Sequence, residues 1–308
     1  MTRGTQPVPT ALTIAGSDCS GGAGVQADLK TFAAHGVYGM SVLVSVVAEN
    51  TSRVISIHDL SPSAIADQMD AVFEDIPPLA VKVGMVSSTS CMDAVAVGLE
   101  KWRPAVVVID PVMYAKGGAP LMAEDAVEHF IDRVMPLASV LTPNIPEAER
   151  LWGRSISTTA QQVEAARAIS ELMGGGTVLV KGGHAQEQGV FSEDGTPAAE
   201  GASVDVLWSE GRATGLSAPR FSTPHTHGTG CTLSSAIAAN LALGADVATA
   251  VLKAKEYVTG AIAHGMGLGR GHGPTDHFYY LYQHGLARSG PRPDDLPAVE
   301  VIDLKELQ

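Results

Sequence analysis

The chain has 308 residues, 45% of them hydrophobic and 17% charged, which suits one large α/β domain or two small ones around a sizeable buried core. Acidic residues exceed basic ones by 33 to 20, and a net charge of −13 leaves no basic footprint for nucleic acid or an anionic membrane. No apolar run is long enough for a bilayer, no signal peptide opens the chain, and Cys19, Cys91 and Cys231 lack metal-type spacing, so a soluble, cytoplasmic protein in a reducing compartment is expected.

Met1 to Pro9 reads as a disordered polar tail. Thr10 to Ala15 is a short apolar strand, followed by a glycine-rich turn from Gly16 to Gly24 and a helix ending near His35. Ser41 to Ala48, rich in valine, reads as a buried strand. After the start signal Ser61-Pro62-Ser63, Ile65, Met69, Val72 and Phe73 share one helical face. Leu79 to Val83, Ala105 to Ile109, Ser139 to Leu141 and Thr177 to Val180 are further strands. Between them lie helices at Thr89 to Trp102, through Val127 to Val134, and at Thr159 to Met173.

Short uninterrupted apolar strands between amphipathic helices predict a mostly parallel sheet covered on both faces. From Ala185 to Ser217 the composition turns to Gly, Glu, Ser and Ala, and an extended loop or hairpin excursion is expected, with β-like pieces such as Gly189 to Phe191. Helices resume at Gly228 to Leu243 and Val247 to His264. The reading is one α/β domain over residues 10–285, with a polar tail from 286 to 308.

In open parallel sheets, ligands bind beyond the carboxyl ends of the strands. The polar residues there are Asp18 and Asp28, Glu49 and Asn50, Asp110, Asn144 and Glu147, and Lys181, with Met85 after the third strand. Asp110 and Glu147 would suit a hydrated magnesium ion or serve as ordinary caps. Lys181 would neutralise phosphate or be solvated. The strongest single element is Thr226-His-Gly-Thr-Gly-Cys-Thr-Leu-Ser-Ser-Ala. Gly228 and Gly230 let backbone N–H groups converge where a helix begins, which is either an anion site or a glycine-rich cap without a ligand. Cys231, in the first turn, is either a thiol of lowered pKa or an inert buried cysteine. His225 and His227 have no matching third ligand and are not assigned to a metal.

Taken in order, these pieces resemble the ribokinase superfamily, and within it the hydroxymethylpyrimidine/phosphomethylpyrimidine kinases. The resemblance rests on Ala11-Leu-Thr-Ile-Ala-Gly-Ser-Asp18, Ser20 to Phe32, Val47-Ala-Glu-Asn-Thr51, Lys82-Val-Gly-Met85, Asp110-Pro-Val-Met113, Thr142 to Ala148, Lys181-Gly-Gly-His184 and Thr226 to Ser234. It implies a three-layer αβα sandwich, ATP as phosphoryl donor, Mg2+, two successive phosphorylations in thiamine synthesis, and a homodimer. By motif, Gly16, Asp28, Val47, Glu49, Met85 and Val112 would surround the pyrimidine. Asn144 and Lys181 would address the ATP phosphates, and Asp110 and Glu147 would organise magnesium. Gly228, Thr229, Gly230 and Cys231 would form the catalytic turn, with Cys231 where sugar kinases carry an aspartate base. A pyridoxal or pyridoxine kinase is the nearest alternative. A sugar kinase is disfavoured by Cys231, a silent metabolite sensor by the retained charged residues, and a cysteine hydrolase by the absence of a His–acid partner.

Overall fold

The computed structural model describes residues 8–114, 121–122, 124–183 and 202–284. Its centre is an eight-stranded sheet in the order β10-β9-β8-β7-β6-β5-β1-β2. β1 (Thr10–Ala15), β2 (Tyr38–Leu43), β5 (Ala80–Val83), β6 (Val107–Ile109), β7 (Val140–Leu141) and β8 (Thr177–Val180) run parallel. β9 (Ala202–Ser209) and β10 (Arg212–Pro219) extend it as an antiparallel hairpin. Pro9 is already tied to the sheet, its carbonyl accepting the Tyr38 N–H. Residues 1–7 of the expected N-terminal tail, the C-terminal tail and Gly189 to Phe191 lie outside the described residues.

The parallel strands alternate between two apolar layers, as the period of two in a strand dictates. Leu12 and Ile14, Val81 and Val83, and Val107 and Ile109 point into one core. That core is capped by α2 (Pro62–Asp75), α3 (Thr89–Trp102), α4 (Glu124–Arg133), α5 (Ile145–Trp152) and α6 (Thr159–Leu172). Ala11, Ala80 and Val108 point the other way, onto α1 (Gly24–Ala34), α7 (Thr229–Ala242) and α8 (Val247–Ala263). A short α9 (Tyr279–His284) packs on α8. The three-layer αβα sandwich around a mostly parallel sheet is thus present. Among the described residues no helix is long and apolar enough to cross a membrane.

Two elements differ from the sequence expectation, and the excursion expected as a loop or hairpin is a hairpin in its described part. The valine-rich stretch is two strands rather than one. β2 stays in the main sheet, Val44 is the pivot, and β3 (Ser45–Asn50) leaves to pair with β4 (Arg53–Asp59) in a separate two-stranded sheet. The pivot is held from both sides, since Val44 donates to Ala15 and accepts from Leu60. α5 is a helix of its own, started by an Asn144–Glu147 capping box with Pro146 in the first turn. The described part of the Ala185 to Ser217 excursion is sheet, because β9 continues the hydrogen-bond ladder of β8.

Candidate active site

The carboxyl ends of β1, β5, β6, β7 and β8 are neighbours in the sheet, so the residues following them share one rim. After β1 the chain turns at Gly16, whose N–H bonds the Met85 carbonyl, and Ser17 bonds Ser45 at the start of β3. A side chain at Gly16 would strike the Met85 methyl and touch Val47. Gly16, Val47 and Met85 therefore pack closely together at one edge of the rim. Glu49 lies further along β3, at the register shift between Ala48 and Glu49, with its main-chain carbonyl accepting the Cys19 thiol at 3.0 Å. Val112 is on the loop after β6, half-buried, its N–H bonded to the Asp110 carbonyl.

On the opposite side of the rim stands the start of α7. Its N-cap Gly228 has φ +75°, and any side chain there would collide with the Gly22 carbonyl. Only glycine permits this conformation and this approach of two loops. Among the described residues the N–H groups of Gly230 and Cys231 have no acceptor, as expected for the first turn of a helix. A Cβ on Gly230 would lie 3.2 Å from Asp110 Oδ2 and 3.5 Å from Lys181 Nζ, so these donors open onto that charged pair.

Asp110 is buried, and its Oδ1 accepts from Lys181 Nζ at 2.6 Å and Thr142 Oγ1 at 2.9 Å. Its Oδ2 takes no hydrogen bond from the described residues. Lys181 is placed by a β-bridge to Asn144 that prolongs β7 and β8 beyond their ends. Burial opposes its charge, but the Asp110 and Glu147 carboxylates outweigh that and raise its pKa. The Asn144 side chain accepts from Glu147 N, and the Glu147 carboxyl accepts from the N–H groups of Asn144 and Met113. Both residues therefore first serve as a helix cap. Burial, helped by Asp110, pushes the Glu147 carboxyl up to about 7 against the pull of Lys181.

Asp28 is not open to a ligand. It is fully buried between α1 and the sheet, where its carboxylate takes Lys82 Nζ at 2.9 and 3.0 Å and the hydroxyls of Thr13 and Ser235 at 2.6 Å each. The reason lies in strand alternation: Thr13 and Lys82 point to the α1–α7 face, opposite to Leu12, Ile14, Val81 and Val83. An acceptor so fully used has nothing left for a ligand, and the expected pyrimidine contact at Asp28 is corrected to a structural one.

For Cys231, burial first, with the Asp28 and Asp110 charges, pushes the thiol up to about 11 against the pull of the Lys82 ammonium and the Gly24 N–H, which favours the neutral thiol. Sequence reasoning left two further residues without a role. Asp18 and His227 form a buried pair, Nε2 to Oδ2 at 2.8 Å, which ties the first glycine turn to the loop before α7. Their signal was present only as an isolated aspartate in a glycine turn and a histidine before Gly228.

A family model described as phosphomethylpyrimidine kinase matches residues 18–276. The chain belongs to this family. Its members are phosphotransferases, with ATP as the implied donor. The chain is 44% identical to the hydroxymethylpyrimidine/phosphomethylpyrimidine kinase of Haemophilus influenzae, covering 89% of this chain and 98% of that protein. It is 47% identical to the thiamine biosynthesis bifunctional protein ThiED of Geobacter sulfurreducens, over 88% of this chain but only 52% of that longer protein. Among solved structures, the pyridoxal kinase of Bacillus subtilis in an ADP complex superimposes with a TM-score of 0.79 at 36% identity, covering 89% of this chain and 99% of that one.

Proposed function

We propose that this family member transfers the γ-phosphoryl group of ATP to the hydroxymethyl group of 4-amino-5-hydroxymethyl-2-methylpyrimidine, and then a second one to the resulting monophosphate. The observation that carries the reading is one rim holding an apolar cluster at Gly16, Val47 and Met85 together with unpartnered helix N–H groups beside Lys181 and Asp110. A flat heteroaromatic would lie against this cluster, with Glu49 and Val112 as its further neighbours. The N–H groups of Gly230 and Cys231, aided by the helix dipole, stabilise charge on the transferred group. Lys181 and the Asn144 amide address the ATP phosphates. Phosphoryl transfer needs alignment and charge stabilisation more than covalent help.

Magnesium fits the donor set in a limited way. Asp110 Oδ2 has no hydrogen-bond partner among the described residues and is an oxygen donor of the kind that ion prefers. Glu147, with its oxygens on backbone N–H groups, would act on the ion through water. When bound, the ion neutralises charge on the phosphates. Cys231 enters as a thiol that hydrogen-bonds the hydroxymethyl oxygen and so helps by position. A cytoplasmic location accords with three unpaired cysteines. A homodimer accords with Val46 and Ile55, exposed at 45% and 62% on the β3–β4 sheet.

Pyridoxal is the second reading, favoured by the overlap with the solved pyridoxal kinase. The test is turnover of purified protein with Mg-ATP and each of hydroxymethylpyrimidine, its monophosphate and pyridoxal, following ADP and the mass of the product. Both pyrimidines are expected to turn over at least tenfold faster than pyridoxal. Faster turnover of pyridoxal overturns the pyrimidine reading, and no ADP with any substrate overturns the kinase reading.

A further inference from the structure

A second buried ion pair lies just beyond β8, and the proposed chemistry leaves it without a task. Val178, Leu179 and Val180 of β8 stand opposite Trp208, Leu207 and Val206 of β9. Continued by two residues, that register sets Lys181 opposite Asp205 and Gly182 opposite Val204. By strand alternation the Lys181 and Asp205 side chains share the face of Leu179 and Leu207, toward α7 and α8. Opposite charges set across two strands on one face ordinarily pair with each other.

These two do not. Lys181 Nζ reaches Asp110 Oδ1 at 2.6 Å. Asp205 is buried, and its Oδ2 accepts from Lys255 Nζ of α8 at 2.6 Å while its Oδ1 accepts from the Gly182 N–H at 2.8 Å. Thr177 and Lys181 donate their N–H groups toward β7, to Ser139 and Pro143, so the Gly182 N–H faces β9 and would form the next rung of that ladder. Asp205 takes this donor instead, and the Val204 carbonyl accepts from Gln162 Nε2 of α6 at 3.3 Å. A side chain at Gly182 would collide with that carbonyl. Lys181 is thus held on both sides, by its own N–H on Pro143 and by the next N–H on Asp205.

We propose that Lys255 is a positioning residue, which occupies Asp205 and so leaves Lys181 free for Asp110 and the ATP phosphates. The inference rests on the phosphate-facing role given to Lys181 above. Without the Lys255 charge, Asp205 is a buried carboxylate with one backbone donor, and the lysine opposite it in register is Lys181. A buried charge is costly unless it is paired, so Asp205 would draw Lys181 away from the rim. Asp110 Oδ1 would then keep only the Thr142 hydroxyl, and the phosphates would meet an unpaired carboxylate in place of an ammonium group.

The test is steady-state kinetics with hydroxymethylpyrimidine and Mg-ATP on wild type, Lys255→Met, Asp205→Asn and the double variant, with Lys181→Met as reference. Calorimetric binding of hydroxymethylpyrimidine without nucleotide is measured alongside. K255M should raise the KM for ATP about tenfold and leave pyrimidine affinity within about twofold of wild type. In K255M/D205N the asparagine still accepts the Gly182 N–H but carries no charge to compete for Lys181. The double variant should therefore return to within about threefold of the wild-type KM. A role confined to stability predicts neither this rescue nor the split between the two substrates. An unchanged KM for ATP in K255M, or a double variant no better than K255M, overturns the inference. If K255M fails to fold, the double variant against D205N decides, and a gap above about threefold in the KM for ATP overturns the action through Asp205. A raised KM for ATP in K181M with an unchanged one in K255M removes only this inference. An unchanged KM in K181M removes the phosphate role of Lys181 as well.

Discussion

Removing one charge of the Lys82–Asp28 pair gives the sharpest test of how the site is supported. Both side chains are fully buried, at 0% exposure, so neither can recover its hydration if the other is lost. In Lys82→Met, Asp28 keeps only the hydroxyls of Thr13 and Ser235. Stranding one partner of such a pair costs about 3–5 kcal/mol. At roughly 2.1 cal/mol/K of unfolding entropy per residue, a 308-residue chain shifts its Tm by about 1.5 °C per kcal/mol, so K82M should melt roughly 5–8 °C lower. In K82M/D28N no charge is stranded, and the double variant should recover at least half of that loss. The assay is differential scanning calorimetry at pH 7.5 on wild type, both single variants and the double. A K82M shift under about 2 °C, or losses that simply add in the double variant, would refute a coupled buried ion pair.

Two further predictions concern the catalytic turn. Gly228→Ala places a methyl group against the Gly22 carbonyl at φ +75°, which displaces the α7 N–H groups; kcat/KM should fall at least ~100-fold, and a loss under threefold in steady-state assays counts against their role. Cys231 should react slowly with iodoacetamide near neutral pH and lag the exposed Cys19, then speed up about tenfold per pH unit toward pH 11. Peptide mass mapping reads both sites, and a rate at Cys231 that levels off below pH 8 would show a resting thiolate.

The sequence was legible where periodicity and local chemistry agree. The parallel strands are short apolar runs, and their ends point at one rim, so Asp110, Lys181 and the Gly228 turn could be brought together without coordinates. α5 was missed although its signals were present, because Asn144 and Glu147 were weighed as separate groups at a strand end and not joined with Pro146 into one helix start. The break at Val44 carries no residue-level signal. A valine-rich run fits one strand or two, and only tertiary pairing of Arg53–Asp59 with Ser45–Asn50 decides between them. Asp28 shows the limit most clearly. An aspartate at the fifth position of a helix next to a glycine turn looks like a ligand group, and its burial follows from Lys82, 54 residues away, on the same face of the sheet. Likewise the resting protonation of Cys231 is set by burial, which a local motif does not encode.

The same burial explains how a chain of net charge −13 can take up an anionic nucleotide. Among the described residues around the rim, Asp28 and Asp110 are paired with lysines, Asp18 is held by hydrogen bonds, and Glu49 and Glu147 are driven toward neutrality. Glu49 and Glu147 are pushed up to about 7, and Cys231 higher still. Little uncompensated negative charge is left to oppose the phosphates, and the free N–H groups of α7 tip the local field positive. The acidity lies on the outer surface, where a Debye length of about 8 Å at physiological salt limits its reach into the cleft. An increase in pH works against this balance, since ionisation of Glu49 and Glu147 returns two negative charges to the rim. Nucleotide affinity should therefore weaken as pH rises through 7.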